Sequence, residues 1–566
     1  MTSRAVRALS RQEELDLDQS KVMSMRWVLT TKASGQAKAR LVVLGFQAHN
    51  LTEVATASPT MSKLGRQMVL TLTASLGFHL KSGDVSSAFL QAQGSLEHEG
   101  LTVWAPPELA VLYGADPLSP KALRVVKAFY GLAHAPRQWY ESVVATLKSQ
   151  GWLQLQGDKC VFVLLDPKSG AVCALAGVHV DDFLISGDDK NRRFSQAEKD
   201  LQSAYRFGKW DDAKEGFDFA GCHLKQHADS SITLDQADYV NRWLDLDAKR
   251  SPKELLTPAD ISTLRATLGT ISWRATQSAP QFVADTSLFL SEVRTATVGT
   301  LQRLNKMVRE MKRNASQALL FPAWGRPIAD LAVVTWADAS NHNRPDRTSS
   351  IGLVSGVVPR EFLDGEELQV ALVQWKSGKT LRQCLGSNGA EVQAITIGED
   401  QNFQVRALLK EFTGVVYTRE NLTEKVREVP GALVMDSRGI YDAMTRNLSS
   451  LHGLRESRAG YELTLAVNHA RSIGTQLRWV NGLAQLADSL TKASDRKVLL
   501  QFLSQKQFWR LVYDEKFTAG RKIHKRELEK QSREQQEAFL VALKRMAVKN
   551  NWPWEDPSDV PEPLLE

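Results

Sequence analysis

The sequence predicts a multidomain protein of the α/β and α+β classes, and three observations carry that expectation. The chain has 566 residues, and at roughly 150 residues per domain a single hydrophobic core is too few. Its composition, 43% hydrophobic and 24% charged, supplies enough apolar side chains for several cores and excludes wholesale disorder. Beyond Pro327 long apolar strands alternate with helical patterns, which marks a separate α/β domain from about 325 to 500.

Lys and Arg together number 71 against 64 for Asp and Glu, a formal net charge of +7. That mild excess suits a polyanionic partner without establishing one. Cys160, Cys173, Cys222 and Cys384 form no C-x-x-C pair, so buried, reduced thiols are expected rather than disulfides or a zinc site. No apolar h-region follows Met1-Thr2-Ser3-Arg4, and no apolar run approaches the roughly 18 residues that span a bilayer. The expected location is therefore the cytoplasm or nucleus, not the secreted space.

Residues 1–24 are polar, lack periodicity and read as a frayed lead-in. Arg26–Thr30 and Ala39–Leu44 flank the turn signal Ala33-Ser34-Gly35 and predict a hairpin. Met61, Leu64, Met68, Leu72 and Leu76 recur at helical spacing before Gly77, which predicts a helix over 60–76. A strand rising to Asp84 follows, then an amphipathic stretch over 121–150 and a strand over Val161–Leu165. Helical patterns return around 262–310, within a mixed stretch that carries no chemistry of its own.

The most informative segment is Val172–Val180, almost wholly apolar, which meets Asp181-Asp182 before Phe183-Leu184-Ile185 resumes. Asp84 ends another strand 97 residues earlier. Magnesium takes octahedral oxygen ligands, often one or two carboxylates plus substrate phosphates, so acids on neighbouring strands make a natural platform for it. Two such ions activate a hydroxyl nucleophile and stabilise the leaving oxygen of a phosphoryl displacement. Taken alone, an Asp-Asp pair is more often a polar turn.

The flanking residues decide between these readings. Lys38-Ala39-Arg40-Leu41-Val42, Gly45-Phe46-Gln47, Ser58-Pro59 and Asp84-Val85-x-x-Ala88-Phe89-Leu90 occur in that order. Phe129-Tyr130-Gly131-Leu132-x-x-Ala135-Pro136-Arg137-x-Trp139-Tyr140 and His179-Val180-Asp181-Asp182 follow. The series, over about 25–190, resembles the reverse transcriptase of copia-class retrotransposon Pol polyproteins. The resemblance implies a fingers-palm-thumb polymerase with Asp84, Asp181 and Asp182 as the palm's metal ligands. It also implies that Lys38 and Arg40 approach the triphosphate, and that Phe89 stacks under the nucleotide sugar and selects deoxynucleotides. Arg137 and Trp139 are expected to support the template side or to pack the palm. His179 stands where the family usually has Tyr, so primer contact would fall to an imidazole ring.

Four more acids mark element ends downstream, namely Asp338, Glu391, Asp436 and Asp488, separated by 53, 45 and 52 residues. Like charges held together stay ionised only when cations neutralise them, which points to a two-metal nuclease site. Trp336-Ala337-Asp338-Ala339, Ala390-Glu391, Met435-Asp436-Ser437 and Gln485–Lys492 resemble, in order, the ribonuclease H domain of the same polyproteins. The family's usual Ser-Thr-Glu-Ala-Glu is here Ser387-Asn388-Gly389-Ala390-Glu391. The implied cofactor is magnesium, or manganese in its place. The implied partners are an RNA template, a DNA primer, the RNA-DNA hybrid and deoxynucleoside triphosphates.

Ser377-Gly378-Lys379-Thr380 mimics the end of a P-loop, but Val373 occupies the leading glycine position and ATP binding is not expected. Cys222-His223 lacks the partners of a metal site. No Asp-Ser-Gly or Asp-Thr-Gly of an aspartic protease and no His-His-Cys-Cys integrase pattern occurs, so the likeness is to the last third of such a polyprotein. The expected plan is a lead-in over 1–24, fingers and palm over 25–210, thumb or connection over 211–325 and a ribonuclease H-like domain over 326–500. A basic helical extension over 501–550 and an acidic disordered tail over 551–566 complete it. From Gln505 to Asn550 twelve basic residues face six acidic ones, a charge that either holds template phosphates or is simply solvated. Two readings stay open, an active polymerase-nuclease and a catalytically silent retroelement remnant that only binds nucleic acid.

Overall fold

The computed structural model describes residues 5–31, 35–445, 456–492 and 495–511 and most of 537–549. Much of the expected basic extension and all of the expected acidic tail lie outside the described residues. The chain forms two compact units, Met1–Ser62 with Lys81–Asp211 and Lys63–Leu80 with Asp212–Glu566.

The first unit is built on a six-stranded sheet. Its order is Phe207–Asp212, His79–Val85, Asp182–Gly187, Val172–His179, Val161–Leu165 and Leu153–Gln154. Val172–His179 and Asp182–Gly187 are antiparallel, with Asp182 opposite His179. Nearly every residue of this hairpin is buried, which explains its continuous apolar run: both faces are covered, so no polar alternation is possible. The helices Ala135–Ser149 and Arg192–Ala204 contribute Trp139, Val143, Leu147, Phe194 and Leu201 to the same core.

The predicted hairpin is a free-standing ribbon of Met25–Thr31 and Ala37–Val43, with Val28 opposite Arg40 and Thr30 opposite Lys38. Because side chains alternate along a strand, Lys38 and Arg40 share one face while Trp27, Leu29, Ala39 and Leu41 share the other. The ribbon's base is fastened where the Val43 N–H donates to the Tyr130 carbonyl at 2.8 Å. Gly131 makes that approach possible: its φ is +97°, and a Cβ there would lie 1.9 Å from the Val43 carbonyl oxygen.

Two expectations change here. The lead-in is ordered: Val6–Ala8 pairs with Ala122–Val125, and Ser10 and Glu13 form a capping box on the short helix Arg11–Leu15. Ion pairs of Glu13 with Arg7 at 2.8 Å and Arg124 at 3.1 Å tie this polar segment down, a kind of order that apolar periodicity does not register. The stretch expected to be amphipathic from 121 onward begins instead as the strand Ala122–Val125, and its helix starts only at Ala135.

In the second unit the helix Lys63–Leu76 is buried from Leu64 through Ser75, and the Ser75 hydroxyl donates to the Arg326 carbonyl at 2.9 Å. The helix predicted at this place therefore belongs to a different compact unit from the strands that flank it. The stretches 211–325 and 326–500, expected as separate domains, share one apolar core that runs from Val240 through Trp336 and Trp375 to Phe502. The helices Pro258–Gln277, Val283–Glu292 and Val298–Arg313 supply part of it, from Leu264 to Met311. The Trp375 indole N–H donates to the Ala275 carbonyl at 2.9 Å across that junction.

The second large sheet has five strands in the order Ala371–Lys379, Ser350–Pro359, Leu331–Ser340, Gly431–Met435 and Thr475–Trp479. The first three are antiparallel and the last two run parallel to Leu331–Ser340. The helix Ser387–Glu411 packs on this sheet. Ser377-Gly378-Lys379 lies within a paired strand and forms no phosphate-binding loop. All four cysteines are buried and free. Among the described residues no helix is long and apolar enough to cross a membrane.

Replacing Gly131 by Ala is expected to destabilise the first unit by about 2 kcal/mol or more, because the left-handed backbone and the Val43 carbonyl both oppose a Cβ. At that size its melting transition should fall by roughly 4–8 °C in calorimetry.

Candidate metal centres

Asp84 is the penultimate residue of its strand. The next residue, Val85, donates its N–H to the Asp181 carbonyl at 2.9 Å, so the strand and the hairpin turn are joined beside the acids. Since Asp182 is already paired with His179, the two-residue loop is Val180-Asp181, and Asp182 opens the returning strand. Ligand oxygens of Asp84, Asp181 and Asp182 all lie within 4.8 Å of one another. None of these carboxylates is in an ion pair among the described residues.

Burial and the neighbouring charges of Asp181 and Asp84 push the Asp182 carboxyl up to about 6. Asp84 is raised by burial and by Asp181, while Lys38, Arg40 and Lys209 pull it back down. Lys38 and Arg40, expected at the triphosphate, thus sit on the ribbon face whose field reaches Asp84. Phe89 packs against Tyr130 with centroids 4.9 Å apart, and the Arg40 guanidinium lies over the same Tyr130 ring at 5.6 Å. His179 is partly buried at the end of its strand, opposite Asp182. Arg137 lies on the helix surface, paired with Glu141 at 2.8 Å.

The second cluster is built by the five-stranded sheet and the helix on it. Asp338 lies near the end of Leu331–Ser340, Glu391 in the first turns of Ser387–Glu411, and Asp436 directly after Gly431–Met435. Oxygens of Asp338, Glu391 and Asp436 lie within 4.8 Å of one another. Asp488, the fourth predicted acid, opens a short 3₁₀ turn and is not in that set; it forms an ion pair with Lys492. Its charge still reaches the others, adding to the burial and mutual repulsion that raise Asp338 and Asp436. Glu391 is raised well above the usual carboxylate range by burial and then by Asp338.

Neighbouring groups hold these acids in place. Thr491 Oγ1 donates to Asp338 Oδ2 at 2.7 Å, and Gln485 donates to the Ala337 carbonyl at 3.1 Å. The Trp479 indole N–H donates to the Asp436 carbonyl at 2.9 Å. Opposite Asp338 in the sheet register stands Gly352, where a Cβ would meet the Ala487 carbonyl oxygen at 2.6 Å and Thr491 Cγ2 at 2.8 Å. The absent side chain is what lets the Asp488 turn lie on the sheet beside Asp338.

Both clusters fit a hard divalent cation. Each offers three carboxylates with oxygens close enough to share one ion, and Glu391 Oε2 is buried with no hydrogen-bond partner among the described residues. A buried, partnerless carboxylate oxygen is costly unless a cation completes it. His223 is instead paired with Asp218 at 3.0 Å, and Cys222 is buried in a strand.

Three groups that shape the sites were not among the predicted site residues. Tyr130 lies inside the Phe129-Tyr130-Gly131 motif, and its signal was an aromatic beside a glycine that must adopt positive φ. Thr491 and Lys492 lie inside the Gln485–Lys492 motif, whose residue types single out only the acid.

Residues 15–251 match the family described as reverse transcriptase (RNA-dependent DNA polymerase). The Pol polyprotein of transposon TNT 1-94 from Nicotiana tabacum is 29% identical over 243 residues, 42% of this chain and 17% of that protein. The chain is related to the copia-class retrotransposon Pol polyproteins. That of transposon RE2 from Arabidopsis thaliana is 32% identical over 174 residues, 30% of this chain and 11% of the relative. A truncated Ty1-A Gag-Pol polyprotein from Saccharomyces cerevisiae is 28% identical over 178 residues, 31% of this chain and 14% of the relative. The chain thus spans under a fifth of the length of each of these relatives. Among solved structures, a foamy viral protease-reverse transcriptase in complex with double-stranded DNA overlaps with a TM-score of 0.47 and 12% identity. The overlap covers 82% of this chain and 66% of that one.

Because Asp182 is raised from its ordinary value to about 6, the folded, metal-free protein binds a proton there that the unfolded chain has already released. This group's relative stabilisation of the fold is therefore full at low pH and is lost as pH rises through about 6. A cation needs the ionised form, so its affinity should fall about tenfold per pH unit below 6 and level off above. Manganese titrations followed by electron paramagnetic resonance in the Asp436→Asn variant, which impairs the second cluster, check this. Gly352→Ala should weaken manganese binding at the second cluster by displacing the Asp488 turn, with binding at the first cluster unchanged.

Proposed function

We propose that this chain is an RNA-directed DNA polymerase with an attached ribonuclease H, which copies retrotransposon RNA into DNA and cuts the RNA of the resulting hybrid. The observation that carries the reading is the convergence of Asp84 with Asp181 and Asp182 from remote stretches of chain, inside the segment that matches the reverse transcriptase family. On this reading the ribbon is the fingers, the six-stranded sheet the palm and the helices after Pro258 the thumb or connection. The five-stranded sheet, in the expected 326–500 stretch, is the ribonuclease H-like domain.

Magnesium or manganese held by the two acid sets would supply two-metal phosphoryl transfer, activating the attacking oxygen and steadying the leaving one. The protein's own groups do the rest. Lys38 and Arg40 offer cationic donors to the triphosphate of an incoming deoxynucleotide, a guanidinium being suited to bidentate phosphate contacts. Phe89, backed by Tyr130, offers a ring for the sugar to lie against and leaves no room for a 2′-hydroxyl. His179 presents an imidazole toward the primer end. In the second cluster Asp338, Glu391 and Asp436 would hold the cation, with Thr491 orienting Asp338 and Lys492 neutralising Asp488.

The Asp181→Asn, Asp182→Asn double variant should lose primer extension on an RNA template by more than about a hundredfold, since outer-shell changes alone cost roughly 10–100-fold at metal sites. Asp436→Asn should abolish cleavage of RNA in a hybrid while primer extension persists. The binding-only reading is favoured by His179 in the usual Tyr position and by Gly389 in place of the family's first glutamate. Salt-sensitive hybrid binding by the unaltered chain, with no nucleotide incorporated, would establish it instead.

A further inference from the structure

The loop that presents Asp181 contains a conformation that its own sequence opposes. Val180 has φ +60°, in the left-handed region that L-residues avoid and that is least tolerable for a β-branched side chain. Asp181 is not at positive φ, so only the first of the two loop residues is. Hairpin turns of that kind ordinarily place Gly there. Burial of the Val180 side chain does not explain the conformation, because that residue is 37% exposed.

The restraint comes from outside the hairpin. The Trp139 indole Nε1–H donates to the Val180 carbonyl at 2.6 Å, and the Val85 N–H takes the Asp181 carbonyl at 2.9 Å. Both carbonyls of the two-residue loop are thus tied to other elements. Trp139 is itself closely fixed. It is 1% exposed and packs edge-on against Tyr205 at 4.9 Å. The Tyr205 hydroxyl donates to Thr146 Oγ1 at 2.8 Å and lies 3.2 Å from the Ser142 carbonyl, both on the helix that carries Trp139.

We infer that Trp139 is a positioning residue that holds Val180 in its strained conformation and thereby aims the Asp181 and Asp182 carboxylates at the cation they share with Asp84. Strained backbone persists only where its surroundings over-determine it, and here the outermost clamp is a single indole hydrogen bond. Without it the turn relaxes toward an ordinary φ, and the acid between the two clamped carbonyls swings away from its partners. This inference rests on the polymerase reading for its catalytic consequence but not for its effect on metal binding.

The test is a two-by-two comparison in the full chain. Trp139→Phe removes the N–H and keeps a buried ring, and Val180→Gly removes the strain that the N–H opposes. In the Val180 background, Trp139→Phe is expected to lower kcat for primer extension about tenfold or more, with KM for the nucleotide within about twofold. It should also weaken manganese binding at the first cluster, measured in the Asp436→Asn background. In the Val180→Gly background the same Trp139→Phe change should alter both quantities by less than about twofold. Equal losses in both backgrounds would mean that Trp139 acts through general packing and would overturn the inference, as would unchanged manganese binding in Trp139→Phe. If the unaltered chain binds manganese but extends no primer, the polymerase reading fails, and the manganese comparison alone still decides the role of Trp139.

Discussion

Crowding anionic oxygens into poorly solvated places is the constraint around which this molecule is organised. Asp182, Asp338 and Glu391 lose hydration and are repelled by neighbouring acids, and their upward shifts record that cost. Left free, such groups would turn outward to water. They stay together because the backbone that bears them is fixed: Asp181 by the Val85 N–H, Asp436 by Trp479 through its carbonyl, and Asp338 by Thr491 and by Gln485 at the adjoining Ala337. Charge that costs stability in the protein alone would become affinity for a divalent cation.

The two clusters meet this constraint by different means. The first uses a tight hairpin beside a strand end, where Asp84 lies within reach of the field of Lys38, Arg40 and Lys209. The second uses a sheet, a long helix and a short 3₁₀ turn, and it keeps a lysine on one of its acids. The first is the more exposed and the second the more deeply buried, with Asp338 only 3% exposed. Close approach is bought in both units by glycine, at Gly131 beneath the ribbon and at Gly352 across from Asp338.

Much of the local structure was legible because it rests on local pattern. The ribbon, the apolar hairpin, the buried helix ending at Leu76 and the strand leading into Asp338 follow from runs of residue type and from turn signals. The acid sets were legible as chemistry, since carboxylates placed at element ends supply hard oxygen ligands. The amino-terminal strand was hidden, because it is held by Arg7, Glu13 and Arg124 rather than by a repeating apolar face. The shared core of 211–325 and 326–500 was hidden too, because Trp375 and Ala275 meet across 100 residues and neither neighbourhood announces the other. Thr491, Lys492 and Tyr130 carry ordinary signatures and gain their roles only from what stands beside them.

Residue order alone settled which chemistry was available here: seven carboxylates in two ordered sets, a basic strand pair and an aromatic beside the first set, since residue type and spacing are properties of the chain itself. Which of those acids converge, that Asp488 pairs with Lys492 instead, that Lys63–Leu76 joins the other compact unit, and that an indole N–H meets the Val180 carbonyl all depended on folding in space. Distances between residues far apart in sequence are set by packing and by the summed hydrogen bonds of the whole fold, and no local stretch of chain encodes them.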